Sequence, residues 1–234
     1  MKIRVVLVEP EGAVNVGFVA RACVNFGVDE LVLVNPRADL EEALTYSAKA
    51  KDFLNKAIIM NDYDEAIKGF DLVVATSSKG YSRGNHIRQA IDLRTFVENI
   101  VGRVNSVAII FGRESSGLKR SELDKADVLV TIPANPGYPV LNLNQAVAIV
   151  LYELWLVLKR TSQNLPPRAS RDILDKIIDI INHIAVKTGI QEHKRVRLER
   201  TIRSILFRSS PSLFEAKMLE YFLRKVYRSI EEKH

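Results

Sequence analysis

Five short apolar runs, at residues 3–8, 31–34, 72–75, 107–111 and 128–132, punctuate the first two thirds of the chain, with helical spacing between most of them. They are rich in Val, Ile and Leu and almost continuously apolar, as strands are when helices cover both faces of a sheet. Strands alternating with helices predict an α/β fold built on a parallel sheet. One helix is expected from about Val14 to Phe26, directly after the first strand. Another, from Leu143 to about Lys159, carries Val147, Ile149, Val150, Leu151, Leu154, Trp155 and Leu158 with few polar interruptions. The sheet covers one side of that helix, and a partner subunit is expected on the other.

The pattern breaks after Lys159. Pro166 and Pro167, preceded by polar residues, cannot continue a helix and mark a linker over residues 161–170. Three helical segments follow, near residues 171–188, 192–207 and 212–231, so a small all-helical extension over 171–234 is expected beyond a domain of residues 1–160. In its middle helix Lys194, Arg197, Arg200 and Arg203 form a row opposite the apolar Leu198, Ile202, Ile205 and Leu206. Such a row is either a solvated face or a contact for an anionic partner.

Charge separates the two parts. Residues 1–160 carry 19 Lys+Arg and 19 Asp+Glu, whereas residues 161–234 carry 15 and 9, so the net charge of +6 lies wholly in the linker and extension beyond residue 160. A basic module beside a neutral one points to an anionic partner met by that module, with nucleic acid the usual case. The hydrophobic content of 47% supports a core, and no apolar run approaches a membrane span. The polar start MKIR does not read as a secretory signal, and a cytoplasmic protein is expected. A single cysteine, Cys23, excludes an internal disulfide and any Cys-rich zinc site, and its setting beside Ala20 and Ala22 reads as a buried small hydrophobe.

Candidate chemistry sits in two loops at strand ends. FGRESSGL, residues 111–118, is a glycine-bounded turn, and IPANPGYPVLNLNQA, residues 132–146, is a Pro/Gly/Asn loop leading into the long helix. Crevices outside the carboxyl ends of parallel strands are where open α/β sheets bind ligands. The glycine fingerprint of a dinucleotide site is absent: the first turn reads Glu11-Gly12-Ala13-Val14-Asn15-Val16-Gly17 and the second strand ends in Asn35-Pro36. No phosphate-binding P-loop occurs either, and no His or carboxylate cluster has metal-ligand spacing, so no metal is expected.

These two loops, taken in order with the earlier segment EPEGAVNVGFVARACVNFGVDELVLVNP (residues 9–36), resemble the three motifs of the SPOUT (α/β knot) methyltransferases. The first motif's Asn-x-Gly-x-x-x-Arg falls on Asn15, Gly17 and Arg21. The resemblance covers residues 1 to about 160 and is greatest to the TrmJ-like branch, tRNA 2′-O-ribose methyltransferases. It implies a homodimer, a C-terminal deep trefoil knot that no periodicity could disclose, and S-adenosylmethionine as cofactor. It also implies methylation of nucleotide 32 in the anticodon loop of tRNA, on cytidine or uridine. Three loops are then expected to cradle the cofactor, through Thr76, Ser77 and Ser78 (within residues 76–84), Gly112, Arg113, Glu114 and Gly117, and Ile132, Pro133, Val140, Leu141 and Asn142.

By the same resemblance Arg21, Asn15 and Glu114 are the catalytic set. A guanidinium stays protonated, its pKa being above about 12, and is a poor base. Arg21 is therefore assigned as a clamp on a substrate phosphate, with the general base unassigned. Asn15 is expected to shape its loop or contact substrate, and Glu114 to order the glycine-bounded loop or make contacts across subunits. RNA binding is assigned to Arg21 and to Lys194, Arg197, Arg200 and Arg203. The chain departs from its relatives in having Val140 where many carry a serine, with Asn144 where a second serine is common. No hydroxyl is available at position 140, and Ser77, Ser78, Ser115 and Ser116 are the nearby alternatives.

Overall fold

The computed structural model describes residues 1–78, 90–99, 103–160 and 166–232. Among the described residues seven parallel strands form one sheet in the order β3-β2-β1-β6-β4-β7-β5. They are β1 (Lys2–Val8), β2 (Glu30–Val34), β3 (Ile58–Met60), β4 (Leu72–Thr76), β5 (Ile91–Asp92), β6 (Ser106–Phe111) and β7 (Val128–Thr131). The chain first winds outward from β1 to β2 and β3, then returns to the other side of β1 with β6 and β4. Val5 faces Leu31 on one neighbour and Ile109 on the other. The order reverses beside β1.

Period-two alternation divides the strands' side chains between the two faces. Val5, Leu7, Leu33 and Ile109 point to the side covered by α1 (Ala13–Phe26) and α7 (Leu143–Arg160), where they meet Val16, Val19, Cys23, Val147 and Leu154. Val6, Val8, Val32, Val73 and Ile110 point to the other, thinner side, against Ala66, Tyr63 and Leu118. All five predicted strands are present, the last ending at Thr131. Two were not predicted. β3 has three residues, with Ile59 57% exposed, and β5 has two, so each is an edge piece too short to show a period.

Five further helices are short: α2 (Leu40–Ser47), α3 (Lys51–Asn55), α4 (Tyr63–Ile67), α5 (Leu93–Asn99) and α6 (Arg120–Leu123). Asp39 caps α2, its side chain accepting from the Glu42 N–H at 3.0 Å. α1 packs so closely on α2 that a Cβ at Gly17 would lie 2.6 Å from the Ala43 carbonyl oxygen and from Tyr46 Cβ. This glycine of the first motif serves helix packing, whatever else it does.

Cys23 is fully buried among these helices, and burial pushes its thiol far above the ordinary range. The folded protein should therefore resist a thiol-alkylating reagent at pH 8 and label completely in denaturant. Rapid labelling without denaturant would contradict that burial.

Three helices follow residue 166: α8 (Arg171–Lys187), α9 (Glu192–Ser209) and α10 (Leu213–Glu231). They are docked on the sheet. Leu174, Ile177, Leu206, Phe207 and Ala216 belong to the same buried cluster as Val5 and Leu7. The second half of the expected linker is also pinned: Arg168 bridges to Ser212, and the Ala169 N–H donates to the Pro211 carbonyl at 2.9 Å.

Polar contacts place this docking at the amino ends of the strands. Arg171 Nε donates to the Phe70 carbonyl at 2.8 Å, and its guanidinium pairs with the buried carboxylate of Asp127. Arg203 lies 3.6 Å from Asp127 and 2.9 Å from Asp175, and Arg200 lies 3.6 Å from Asp124. The guanidinium groups of Arg168, Arg171 and Arg203 surround the Phe207 ring at 5.1, 5.0 and 5.5 Å. Burial raises the Asp127 carboxyl, and the charge of Arg171 acts against that rise. Part of the extension's excess charge thus serves to neutralise Asp124 and Asp127, just before β7, and Asp175 on α8, a use that a count of charges cannot reveal.

Candidate active site

β4, β6 and β7 end around a cleft of about 670 Å³. Thr76, Ser77 and Ser78 line it from the end of β4, Gly112, Arg113, Glu114 and Gly117 from the loop after β6, and Ile132, Val140 and Leu141 from the segment after β7. Residues far apart in sequence thus line one cleft. Pro133 and Asn142 are not among the lining residues, and Pro139 takes a place there instead. Asn142 opens α7, its carbonyl accepting from the Ala146 N–H at 2.9 Å. The part of the first cofactor loop beyond residue 78 lies outside the described residues. Ser77, Ser78, Ser115 and Ser116, the hydroxyls nearest to the missing serine of position 140, all border the cleft.

The loop after β6 is closed on itself. Gly117 N–H donates to the Arg113 carbonyl at 2.9 Å, and Arg113 Nη1 donates to the Gly117 carbonyl at 3.1 Å. A Cβ on Gly112 would lie 2.2 Å from the Gly117 carbonyl carbon, so only glycine fits.

Under the loop runs a chain of charges that sequence inspection did not find. The Arg113 side chain is 3% exposed and makes a paired contact with Glu122, at 3.0 and 2.8 Å, and a further one with Glu9. Arg37 and Lys119 also pair with Glu9. The guanidinium assigned above to the cofactor is therefore committed to scaffolding the loop. Burial is the largest single influence on Glu122 and would raise it, but the hydrogen bonds from Arg113 and from the Lys119 N–H, together with the charges of both, leave its carboxyl below the ordinary range.

The hydrogen bond from Arg113 likewise brings Glu9 down to about 2, against desolvation and with help from Lys119. Its folded pKa lies below the ordinary 4.5, so its stabilising contribution is complete above pH 4.5 and disappears as pH falls from there through about 2. Thermal unfolding of intact protein and Glu9→Gln should therefore differ by a constant amount above pH 4.5 and converge below it. A gap that persisted unchanged to pH 2 would show that the carboxylate's charge contributes nothing.

Glu114 joins this loop to the turn after β1. Its carboxylate accepts from the N–H groups of Glu11 and Gly12 at 2.9 and 3.0 Å and from Asn15 Nδ2 at 2.9 Å. Glu11 reciprocates, accepting from the Ser115 N–H at 3.1 Å and from its hydroxyl at 2.8 Å. Glu9 itself sits at φ +47°, which turns the chain sharply between β1 and this latch. Asn15 and Glu114 thus form one loop-ordering unit. Arg21 stands apart, two turns along α1, exposed, with its guanidinium 5.4 Å from the Phe18 ring centroid. It does not line its own chain's cleft.

A fully parallel sheet with a cleft at the carboxyl ends of β4, β6 and β7, bordered by a closed glycine-bounded loop and an irregular segment leading into a long helix, defines an α/β protein of the methylase type. The chain belongs to the SpoU rRNA methylase family, whose model matches residues 2–152. It is 40% identical over 237 residues to a tRNA (cytidine-2′-O-)-methyltransferase TrmJ of Sulfolobus acidocaldarius, covering all of this chain and 97% of that one. A probable methylase family protein from Haemophilus influenzae superposes with a TM-score of 0.70 at 31% identity, over 99% of this chain and 98% of that chain. TrmJ from Z. mobilis gives 0.66 at 28% identity, over 97% and 99%. The chain is an RNA methyltransferase.

Among the described residues no group of three or more His, Cys, Asp or Glu could hold a metal ion. No helix there is long and apolar enough to cross a membrane.

Proposed function

We propose that this chain is an S-adenosylmethionine-dependent tRNA 2′-O-ribose methyltransferase acting without a metal on nucleotide 32 of the anticodon loop, in the cytoplasm. The observation that carries the reading is the cleft at the carboxyl ends of β4, β6 and β7, lined by residues of all three expected cofactor loops, in a chain 40% identical to a tRNA cytidine-2′-O-methyltransferase along its whole length. The cleft fits this cofactor: Ile132, Val140 and Leu141 offer apolar flanks for an adenine, and the loop at Gly112 is drawn in too tightly for any side chain there. Bound there, S-adenosylmethionine supplies an activated methyl group.

What the chain itself must do is hold the ribose oxygen in line and exclude competing geometries. Glu114 and Asn15 fix the turn after β1 against the glycine-bounded loop, and Arg21 grips a backbone phosphate beside the target. In this reading residues 1–160 form the catalytic domain, with the segment after β7 threaded as the deep trefoil knot, and residues 171–234 form a tRNA-binding extension joined by residues 161–170. Lys194 and Arg197 are the RNA contacts of α9, with Arg200 and Arg203 turned toward Asp124 and Asp127.

A homodimer completes the site. Val14, Phe18 and Val24 on α1 and Ile149, Tyr152 and Trp155 on α7 are large apolar side chains left exposed on two helices that pack together, with Phe26 and Tyr152 in edge contact at 6.1 Å. A patch of this kind marks a protein interface. In this reading the exposed Arg21, on the same helix as part of that patch, serves the partner's cleft. Ile149→Glu with Tyr152→Glu should convert the dimer to a folded monomer with little turnover, as read by sedimentation. An unmutated chain that is monomeric and active at low micromolar concentration would remove the dimer from the reading.

The whole assignment is tested by methyl transfer to total tRNA, with the modified nucleoside mapped by mass spectrometry. A 2′-O-methylated nucleotide 32 is expected. Methylation of rRNA alone, or of a tRNA base, would overturn it.

A further inference from the structure

We propose that the outer face of α10 is a stacking platform for unpaired bases of the RNA substrate, a second footprint remote from the cleft. This rests on the tRNA reading above. α10 buries Ala216 and packs along α8, while Phe214, Met218, Tyr221 and Phe222 remain 74, 52, 58 and 61% exposed on the opposite side. Their spacing places them on one face over two turns. Cations are interleaved with the aromatics: Lys217 is one turn before Tyr221, and Lys225 Nζ lies 5.9 Å from the Tyr221 ring centroid. Exposed rings alternating with cations are the chemistry that holds single-stranded nucleic acid, where bases stack on aromatic faces and phosphates meet ammonium groups.

Charge decides between RNA and a second copy of the chain as the occupant. Glu215 and Glu220 are the only acids in the first four turns of α10, and both are engaged. Glu215 accepts from the Ser212 N–H at 2.6 Å, and Glu220 accepts from Arg224 at 3.0 and 2.7 Å. Two copies meeting face to face along these turns would bring their lysines together with no carboxylate of the same turns left to pair them, at a desolvation cost. A polyanion supplies the missing charge. The platform is also rigid, because Ser212 and Glu215 form a reciprocal cap at the start of the helix and Leu223 packs into the core.

Its position sets its task. The extension is anchored at Phe70 and Asp127, just before β4 and β7, and the cleft begins at Thr76 and Ile132, at the other ends of those strands. A five-residue strand separates the two levels by about 15 Å. Bases held on α10 therefore belong to a part of the RNA other than the nucleotide in the same chain's cleft.

The test uses the full chain and its Tyr221→Ala, Phe222→Ala and double variants, titrated with tRNA, a ten-nucleotide oligouridylate and an RNA duplex, while tRNA methylation and sedimentation are recorded on the same preparations. Each single variant should weaken oligouridylate binding roughly 5- to 100-fold with an unchanged salt slope, because stacking releases no counterions. Lys225→Ala should instead lower that slope by about 0.7. Duplex binding, S-adenosylmethionine binding and the unfolding temperature should not move. Equal oligouridylate affinity in all variants would overturn the platform, as would dissociation of the dimer in the alanine variants, which would make the face a contact between copies. If the intact chain binds oligouridylate through these residues but methylates no tRNA, the tRNA reading fails while the platform stands.

Discussion

Arg21→Ala is expected to slow methyl transfer to tRNA by about two to three orders of magnitude, the usual loss when one preorganised charge stabiliser is removed, with S-adenosylmethionine affinity unchanged within about twofold. Arg21 is exposed on α1 and its guanidinium lies over an exposed ring, Phe18. Removing it leaves no cavity and orphans no buried group, so stability should change by less than about 0.5 kcal/mol. None of the loops lining its own chain's cleft depends on it. Arg21→Lys should recover little, because an ammonium cannot present the planar fork that grips two phosphate oxygens. Single-turnover rates with saturating cofactor, alongside calorimetric titration of the cofactor alone, separate the two effects. A variant with near-normal rates would remove Arg21 from the catalytic set, and one that lost cofactor affinity would move it into the cofactor site.

The contrast between Arg21 and Arg113 shows how far residue type can be read without coordinates. Both arginines belong to motif segments. The row of buried aliphatics that makes β1 and β6 strands is visible as a local pattern, and so is the helix that carries Arg21. Whether a guanidinium faces solvent or is closed in by Glu9 and Glu122 is set by groups 104 and 9 residues away. The turn of Glu9 into positive φ, which brings its carboxylate under the loop, leaves no compositional trace.

The extension teaches the same lesson. Its three helices were legible from their spacing, and the row of Lys194, Arg197, Arg200 and Arg203 was legible as one face. That the far end of this row reaches Asp124, Asp127 and Asp175 depends on tertiary docking. A net charge counts cations and cannot say which of them already have partners. The exposed stripe on α10 was hidden for the complementary reason. Phe214, Met218 and Phe222 look like core residues in sequence, and only the packing of α8 against the opposite face shows that they are not.

Gly112→Ala should reduce S-adenosylmethionine affinity by more than about 100-fold, and it should do so through a contact that cannot relax. The added methyl would lie 2.2 Å from the Gly117 carbonyl carbon, 2.4 Å from the Leu118 nitrogen and 2.6 Å from the Gly117 carbonyl oxygen. All three are backbone atoms, so no rotamer change makes room. The loop would have to open, breaking the 2.9 Å bond from the Gly117 N–H to the Arg113 carbonyl and the 3.1 Å bond from Arg113 Nη1 to the Gly117 carbonyl. Overpacking of this kind costs about 1–3 kcal/mol in stability, and here the displaced backbone is also the wall of the cleft. Gly117→Ala is the informative comparison. That glycine sits at φ +70° in open space, so alanine there is strained by roughly 1–2 kcal/mol but meets no neighbour. The second variant should therefore lose some thermal stability and keep most of its cofactor affinity, whereas the first should lose both. Calorimetric titration and thermal unfolding of the two variants decide it: if Gly112→Ala bound the cofactor as tightly as Gly117→Ala, the closed loop would not be the element that shapes the cofactor site.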